Sequence, residues 1–412
     1  MQEKCSKIIN YIIAFMVILN CNSIFTAGLQ AGKLFWMNLY ILIGGFISLL
    51  LLNKLHNIDR NYVIIISVLL VYILMYLLLQ RSKTDGTSNL IYLIVFLTLF
   101  SLSYIEYRHC KVPQIFTAYC NIVFVIALIS IFFWTLGSNL HILQPTGTYV
   151  SRWNDYGIYR GVPSYYNLYF ESQYLENTVV RNTAIFGEAP MASLVFSIAL
   201  VLEILYGKRS KTKILKVIVL SVAIASTLSS TGYICLIFVS IYLLSNIKVA
   251  KELYYVKFIV LIFILIGGLF LVQYFLVQKL ATRSGIGRGR DYINCFKVWL
   301  SYPLMGAGLG SGDYPFVHNG IAISSFGNSN SFGKILAESG IYICLLYFIS
   351  IFRSFYIGYI SKDKKRIFLT FIILYLFITT KFVNTDMMFL LFSLIAVWNP
   401  DQKNPTIYKN NI

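Results

Sequence analysis

The sequence is short of charge, and above all of negative charge. Only 12% of its 412 residues are charged, and 34 Lys and Arg stand against 16 Asp and Glu. In an average soluble protein about 25% of the residues are charged. With 58% hydrophobic residues, the composition excludes an ordinary soluble domain and indicates a chain embedded in a membrane.

Two kinds of side-chain pattern are also missing. The seven cysteines show no spacing typical of a zinc site or of a disulfide framework. Aspartates form no pair with the spacing of metal ligands, so we expect an activity that needs neither a metal ion nor another cofactor. The excess of positive charge is distributed in a way that fits membrane orientation, so we expect no nucleic-acid partner.

Apolar windows of about 17–22 residues recur along the whole chain, and each is long enough to cross a bilayer. They predict an all-α polytopic membrane protein, one integral membrane domain over 1–412 with about twelve transmembrane helices. The predicted spans are 8–27, 34–53, 62–80, 89–105, 113–136, 189–206, 214–229, 231–246, 257–278, 339–358, 366–381 and 385–398. Lys4 and Lys7 before the first span resemble the start of a signal peptide, but we expect an uncleaved helix there.

Lys and Arg predict the orientation of these spans. If both termini are placed in the cytoplasm, 21 of the 34 Lys and Arg fall in cytoplasmic segments. Short connectors such as 207–213 and 361–366 are rich in them, and such segments are retained in the cytoplasm. Two long loops, 137–188 and 279–338, are then predicted to lie outside.

The first long loop is crowded with aromatic residues between 145 and 181. Aromatic rings with a polar edge suit the membrane–water interface, and they also stack on sugar rings. Both interpretations remain open. If the loop binds a glycan, Arg160, Tyr165 and Tyr166 are the candidate substrate-binding residues.

The first loop ends with Arg181 and Glu188, just before Pro190 opens a predicted helix. Proline is tolerated in the first turn of a helix, and a carboxylate near the N-terminus is favoured by the helix dipole. Glu188 therefore has a structural explanation. The alternative is a reactive carboxylate beside an arginine at the membrane surface.

The second long loop carries Arg283, Arg288 and Arg290 within eight residues. The guanidinium group is planar, always charged and suited to bidentate contacts with phosphate oxygens. A diphosphate is one target, and ordinary phospholipid head groups are the alternative. Because Ile293, Phe296 and Leu300 would share one helical face, we expect an interfacial helix that starts at Arg290.

Further along this loop, the Gly-rich stretch 306–312 does not follow a predicted strand, so we interpret it as a turn and not as a nucleotide loop. His318 is a candidate general base, although a lone histidine is more often simply solvated. Lys334 and Glu338 are four residues apart, as in an ordinary helical ion pair. Asn330 is placed to cap that helix, and it is also a candidate substrate contact.

Three segments resemble a known family in their order and sidedness. Arg181, Phe186, Glu188 and Pro190 resemble the end of the large outer loop in Wzy-type bacterial polysaccharide polymerases, which make O-antigen and capsule. Arg290, Trp299, Pro303, Gly306 and Gly308 resemble a second segment of that family. The stretch from Ser329 to Gly340 resembles the return into the membrane in the wider O-antigen ligase and polymerase superfamily.

The resemblance implies a GT-C-like membrane glycosyltransferase in the cytoplasmic membrane of a bacterium. Its substrate would be an undecaprenyl-diphosphate-linked oligosaccharide. It would be surrounded by membrane lipid, and a chain-length regulator protein would be its partner. The leading candidates to bind the diphosphate would be Arg181 and Arg290, and Arg283 and Arg288 would be the next candidates. The candidate bases are Glu188, His318 and Glu338.

Three rivals remain, and one of them is a purely structural membrane scaffold, against which the arginine-rich loop argues. The ligases of the superfamily carry a histidine where this chain has Ser329, which weakens a ligase interpretation and leaves the polymerase interpretation standing. A transporter of lipid-linked oligosaccharides is the rival from another class. Transporters keep ionisable residues at mid-membrane, whereas the predicted spans of this chain contain almost none.

Overall fold

A computed structural model of the chain describes residues 2–397 apart from several gaps. The gaps are 27–35, 37–38, 40, 46, 48–59, 81–85, 110–113, 152–159, 176–178, 248–249, 254, 261, 264–265, 269, 271–272, 274–282, 314–315, 319–320, 324–325, 328 and 383–385. The spans predicted at 34–53 and 257–278 are therefore described only in part.

The described chain is mostly α-helical. Helices α1 to α4 are Gln2–Asn20, Arg60–Leu79, Gly86–His109 and Gln114–Phe133, and a π-helical turn at Trp134–Asn139 continues α4. Helices α5 to α7 are Ala189–Tyr206, Lys211–Ser226 and Ser230–Asn246. Helices α8 to α11 are Arg283–Ser301, Ser331–Ile360, Lys364–Thr379 and Asp386–Val397.

Several of these helices are suited to cross a membrane. Within the described ranges, four are both long and apolar enough: Arg60–Leu79, Gln114–Asn139, Ala189–Tyr206 and Ser331–Ile360. Shorter apolar helices coincide with other predicted spans, as at Cys5–Asn20 and Asp386–Val397. The structure thus shows a mainly helical chain with several helices suited to span a membrane, whereas the complete set of about twelve spans stays a prediction.

The two long loops contain short strands that the sequence analysis did not predict. In the first loop β1 (Gly147–Ser151), β2 (Arg160–Tyr165) and β3 (Tyr169–Phe170) form an antiparallel sheet, and β4 (Tyr174–Leu175) pairs with β5 (Val179–Val180). In the second loop β6 (Phe316–His318) pairs with β7 (Ile321–Ile323). The prediction of an all-α chain is correct for the described spans and incomplete for these loops.

The interfacial helix of the second loop is longer than predicted. We expected it to start at Arg290, but α8 begins at Arg283 and includes all three arginines of the cluster. Ile293, Phe296 and Leu300 are more than half exposed, as an apolar face turned toward lipid would be.

By their contacts, the residues fall into two compact units. The first comprises 1–21, 31–122 and 291–412, and the second comprises 22–30 and 123–290. In the second unit α5 is the central helix, because nearly all its side chains are buried, and it packs on α6 and α7. A Cβ atom added to Gly232 of α7 would lie 2.2 Å from the Ser193 Oγ of α5, so these two helices meet closely.

In the first unit, helix α9 is interrupted at Gly340, whose φ of 63° and ψ of −164° are not helical. The interruption frees backbone groups on both sides, and the Gly-rich segment before it takes them up. The bonds run from Ala307 N to Ala337 O (2.9 Å), Gly308 N to Glu338 O (2.8 Å), Ile341 N to Pro303 O (3.0 Å) and Tyr342 N to Leu304 O (3.1 Å). The predicted turn at 306–312 is confirmed, and its role is to close this interruption.

We expect Gly340→Ala to destabilise the protein by at least about 3 kcal/mol, because a side chain is strained in this backbone conformation. The added Cβ would also lie 2.3 Å from the Leu304 carbonyl oxygen. Thermal denaturation of the purified protein in detergent measures the loss.

Gly289→Ala is the matched control, because a Cβ there meets nothing within 4 Å and the residue lies within helix α8. That variant should keep or raise the denaturation temperature. Equal stability of Gly340→Ala and the wild type would contradict the role of the interruption.

Candidate functional site

Arg181 is the best-defined candidate in the second unit. Only 9% of the residue is exposed, and three of its N–H groups donate to protein acceptors. Nε donates to the Thr227 carbonyl at 3.0 Å, Nη2 to the Leu228 carbonyl at 3.1 Å, and Nη1 to Gln173 Oε1 at 3.1 Å. A guanidinium group has five N–H donors, so most of its capacity is used within the protein.

These bonds connect Arg181 to two helix ends. Thr227 and Leu228 follow the last residue of α6, where carbonyl oxygens lack helical partners and a positive charge is favoured. Gln173 Oε1 also accepts from the backbone N–H of Ala189, the first residue of α5, at 2.9 Å. Arg181 thus supports the α6–α7 turn directly and the start of α5 through Gln173.

Glu188 immediately precedes α5 and is half-buried. Its predicted place at the N-terminus of a helix is confirmed. Its side chain makes no capping hydrogen bond to that helix, although Pro190 stands in the first turn as expected. The carboxylate is therefore held near the helix N-terminus without serving as its cap.

Two of the other candidates act electrostatically on Arg181. The pKa of Arg181 is lowered from 12.5 to about 10, mainly by burial; the carboxylate of Glu188 opposes this shift, and the positive charge of Arg288 adds to it. Arg181 remains cationic at neutral pH. A guanidinium group more than a hundred positions away along the chain and a nearby carboxylate thus both influence Arg181.

The arginines of α8 differ in exposure. Arg288 is half-buried and Arg290 is exposed. Arg283 begins the helix, but its side chain lies outside the described residues.

The two tyrosine candidates of the aromatic loop differ in how accessible their rings are. Tyr165 is buried against Phe133 and Tyr169, and burial together with a hydrogen bond to Glu171 raises the pKa of Tyr165. Tyr166, in the following turn, is 68% exposed. The ring of Tyr166 is therefore accessible and that of Tyr165 is not. Arg160 begins β2, and its side chain is not among those described.

Glu171 was not predicted, yet it organises this loop. Its Oε1 accepts hydrogen bonds from Ser138 Oγ at 2.7 Å and Tyr165 Oη at 2.8 Å, and its Oε2 accepts from Tyr174 Oη at 3.2 Å. The only feature of the sequence that could have pointed to Glu171 is that it is the single carboxylate among the tyrosines between 165 and 174. That signal does not identify its partners.

In the first unit, two predicted local contacts are confirmed. The Lys334 Nζ and Glu338 Oε1 atoms are 3.5 Å apart, and both residues are buried. The same Glu338 oxygen accepts from Gly312 N at 3.0 Å. Asn330 caps α9, because its Oδ1 accepts from Gly333 N at 2.5 Å.

Asp291 and Ser329 form a further contact that sequence reasoning missed. Asp291 is 8% exposed, and its Oδ2 accepts from Ser329 N at 2.8 Å and from Ser329 Oγ at 2.5 Å. Ser329 is the position at which a ligase interpretation would expect a histidine. His318 ends β6, but its side chain falls outside the described part of the chain.

In comparisons with known proteins, no protein-family model, curated protein or solved structure matches this chain. The described residues contain no group of three or more His, Cys, Asp or Glu side chains that could hold a metal ion.

We expect Arg181→Lys to destabilise the protein by about 3 kcal/mol, because an ammonium group presents its donors from one point and cannot serve three separated acceptors. Thermal denaturation in detergent measures the change. Arg290→Lys keeps the charge at an exposed position and should leave stability unchanged. A stable Arg181→Lys protein that has lost activity would instead assign the guanidinium to the substrate.

Proposed function

We propose that this protein is a polysaccharide polymerase that joins undecaprenyl-diphosphate-linked oligosaccharide repeat units on the outer face of a bacterial cytoplasmic membrane. The observation that carries the proposal is that both Glu188 and Arg288 act electrostatically on the buried Arg181. Two like charges close together are unfavourable by themselves, and their grouping is typical of a site for a multiply charged anion.

The diphosphate of the donor is the anion proposed for this site. Arg288 and Arg290 belong to one helix and have exposed surface, so they are the residues assigned to contact phosphate oxygens. Arg181 contributes its charge and supports the α6–α7 turn. Charge develops on the diphosphate as its bond to the sugar breaks, and preorganised cations stabilise that charge.

Glu188 is the proposed general base. A hydroxyl at the non-reducing end of one repeat unit attacks the anomeric carbon of the growing chain, and its proton passes to the carboxylate. The bond between that carbon and the diphosphate oxygen breaks, and undecaprenyl diphosphate leaves. Glu338 ranks lower because its carboxylate is already bonded to Lys334 and to the Gly312 N–H.

The sugars of the substrate are assigned to the aromatic loop. Tyr166 exposes most of its ring, and Tyr174 is 39% exposed and donates to Glu171. An accessible ring face and a carboxylate that orients neighbouring hydroxyl groups suit stacking and hydrogen bonding to a glycan.

Arg288→Gln and Arg290→Gln should each lower the rate of polymerisation by about 100-fold, because each removes a cation from the leaving group. Glu188→Gln should lower kcat by about 100-fold with little change in KM. The assay uses purified protein and a synthetic undecaprenyl-diphosphate-linked repeat unit, and gel separation measures chain length.

Arg209→Gln is the matched control, because Arg209 is an exposed arginine in a predicted cytoplasmic connector. Long chains made by both α8 variants would show that the diphosphate assignment is wrong. A protein that transfers preformed glycan to a separate acceptor without lengthening it would be a ligase, and one that only moves the lipid-linked unit across vesicles would be a transporter.

A further inference from the structure

A cavity of about 490 Å³ lies within the first unit, among helices α2, α3, α9 and α11. Its volume falls within the range of about 300–1,000 Å³ that is common for small-molecule sites. The wall is mainly aliphatic and aromatic, with Ile64, Leu69, Phe96, Phe100, Leu346 and Phe392 among its residues. Such a wall is suited to an apolar chain.

One polar side chain in the wall of this cavity lacks a partner among the described residues. Ser393 lines the cavity and is only 3% exposed, and its hydroxyl makes no hydrogen bond within the described structure. Three other serines of these helices, Ser101, Ser103 and Ser350, bond to a carbonyl one turn earlier, and the distance from Ser350 Oγ to Leu346 O is 2.8 Å. A buried hydroxyl without a partner is costly, so an oxygen atom of a ligand would satisfy it.

The rim of the cavity is polar and positively charged. Asn61, Tyr104 and the exposed Arg353 line it, and Arg60 precedes Asn61 at the start of α2. No Asp or Glu occurs among the described lining residues. The charge is thus complementary to an anionic head group.

The surroundings determine what kind of molecule reaches this cavity. Val63, Ile65 and Val68 of α2 are exposed apolar residues on a helix suited to cross a membrane, so their neighbour is lipid. The distribution of Lys and Arg predicts that the Arg353 end faces the cytoplasm, where anionic lipids meet basic residues.

We propose that the cavity is a binding site for one anionic phospholipid. Arg353 binds the phosphate of the head group, the Ser393 hydroxyl donates to an ester oxygen, and an acyl chain lies along the apolar wall. The site is independent of the residues assigned to polymerisation.

The test measures lipid retention by native mass spectrometry after purification from membranes and exchange into detergent. Wild-type protein should retain phosphatidylglycerol in preference to phosphatidylcholine. Arg353→Gln should lower the apparent affinity for phosphatidylglycerol about tenfold, since a charge-assisted contact is lost. Ser393→Ala should weaken retention of both lipids by a smaller factor, because both have ester oxygens.

Lys364→Gln is the matched control, because it removes an exposed positive charge at the start of α10 in the same predicted cytoplasmic segment. Equal losses in Arg353→Gln and Lys364→Gln would overturn the proposal, because they would indicate only a general attraction to basic residues. Equal retention of the two lipids by the wild type would also overturn it. Displacement of phosphatidylglycerol by undecaprenyl phosphate at lower concentration would reassign the cavity to a polyprenyl chain.

Discussion

The need to satisfy backbone polar groups inside the protein governs this structure. A helix that is interrupted leaves N–H and carbonyl groups without partners, and burying such groups is costly. At Gly340 this cost is avoided because residues 303–308 pack against α9. Four backbone hydrogen bonds to these residues replace the helical ones. Glycine is required at Gly306 as well as at Gly340, because a Cβ on Gly306 would lie 2.4 Å from the backbone of Glu338.

The same need explains the position of Arg181. Thr227 and Leu228 follow the last residue of α6, and the Arg181 guanidinium donates to both of their carbonyl oxygens. In doing so it becomes buried, and its pKa falls to about 10. A side chain held in this way has little freedom to follow a moving substrate. In the proposed mechanism the more accessible Arg288 and Arg290 therefore contact the diphosphate, and Arg181 contributes charge from a fixed place.

The interruption of α9 also bears on the rival transport function. Discontinuous helices in transporters use freed backbone groups to bind ions and substrates. Here the freed groups around Gly340 are bonded to residues 303–308, and Tyr76 Oη donates to the Glu338 carbonyl at 3.1 Å. These backbone groups are therefore bonded within the protein and are not available to bind a transported substrate.

Hydropathy, charge and short spacings by themselves determined that the chain is a helical membrane protein, that Asn330 caps α9, and that Lys334 pairs with Glu338. These features depend on residues a few positions apart, and local sequence specifies them. Only the tertiary structure decided that Glu171 accepts hydrogen bonds from three hydroxyl groups, that Gln173 links Arg181 to α5, and that Asp291 binds Ser329. The tertiary structure also decided the strands of the loops and the electrostatic effect of Arg288 on Arg181. Each depends on partners distant in the chain, which packing brings into position and local pattern does not specify.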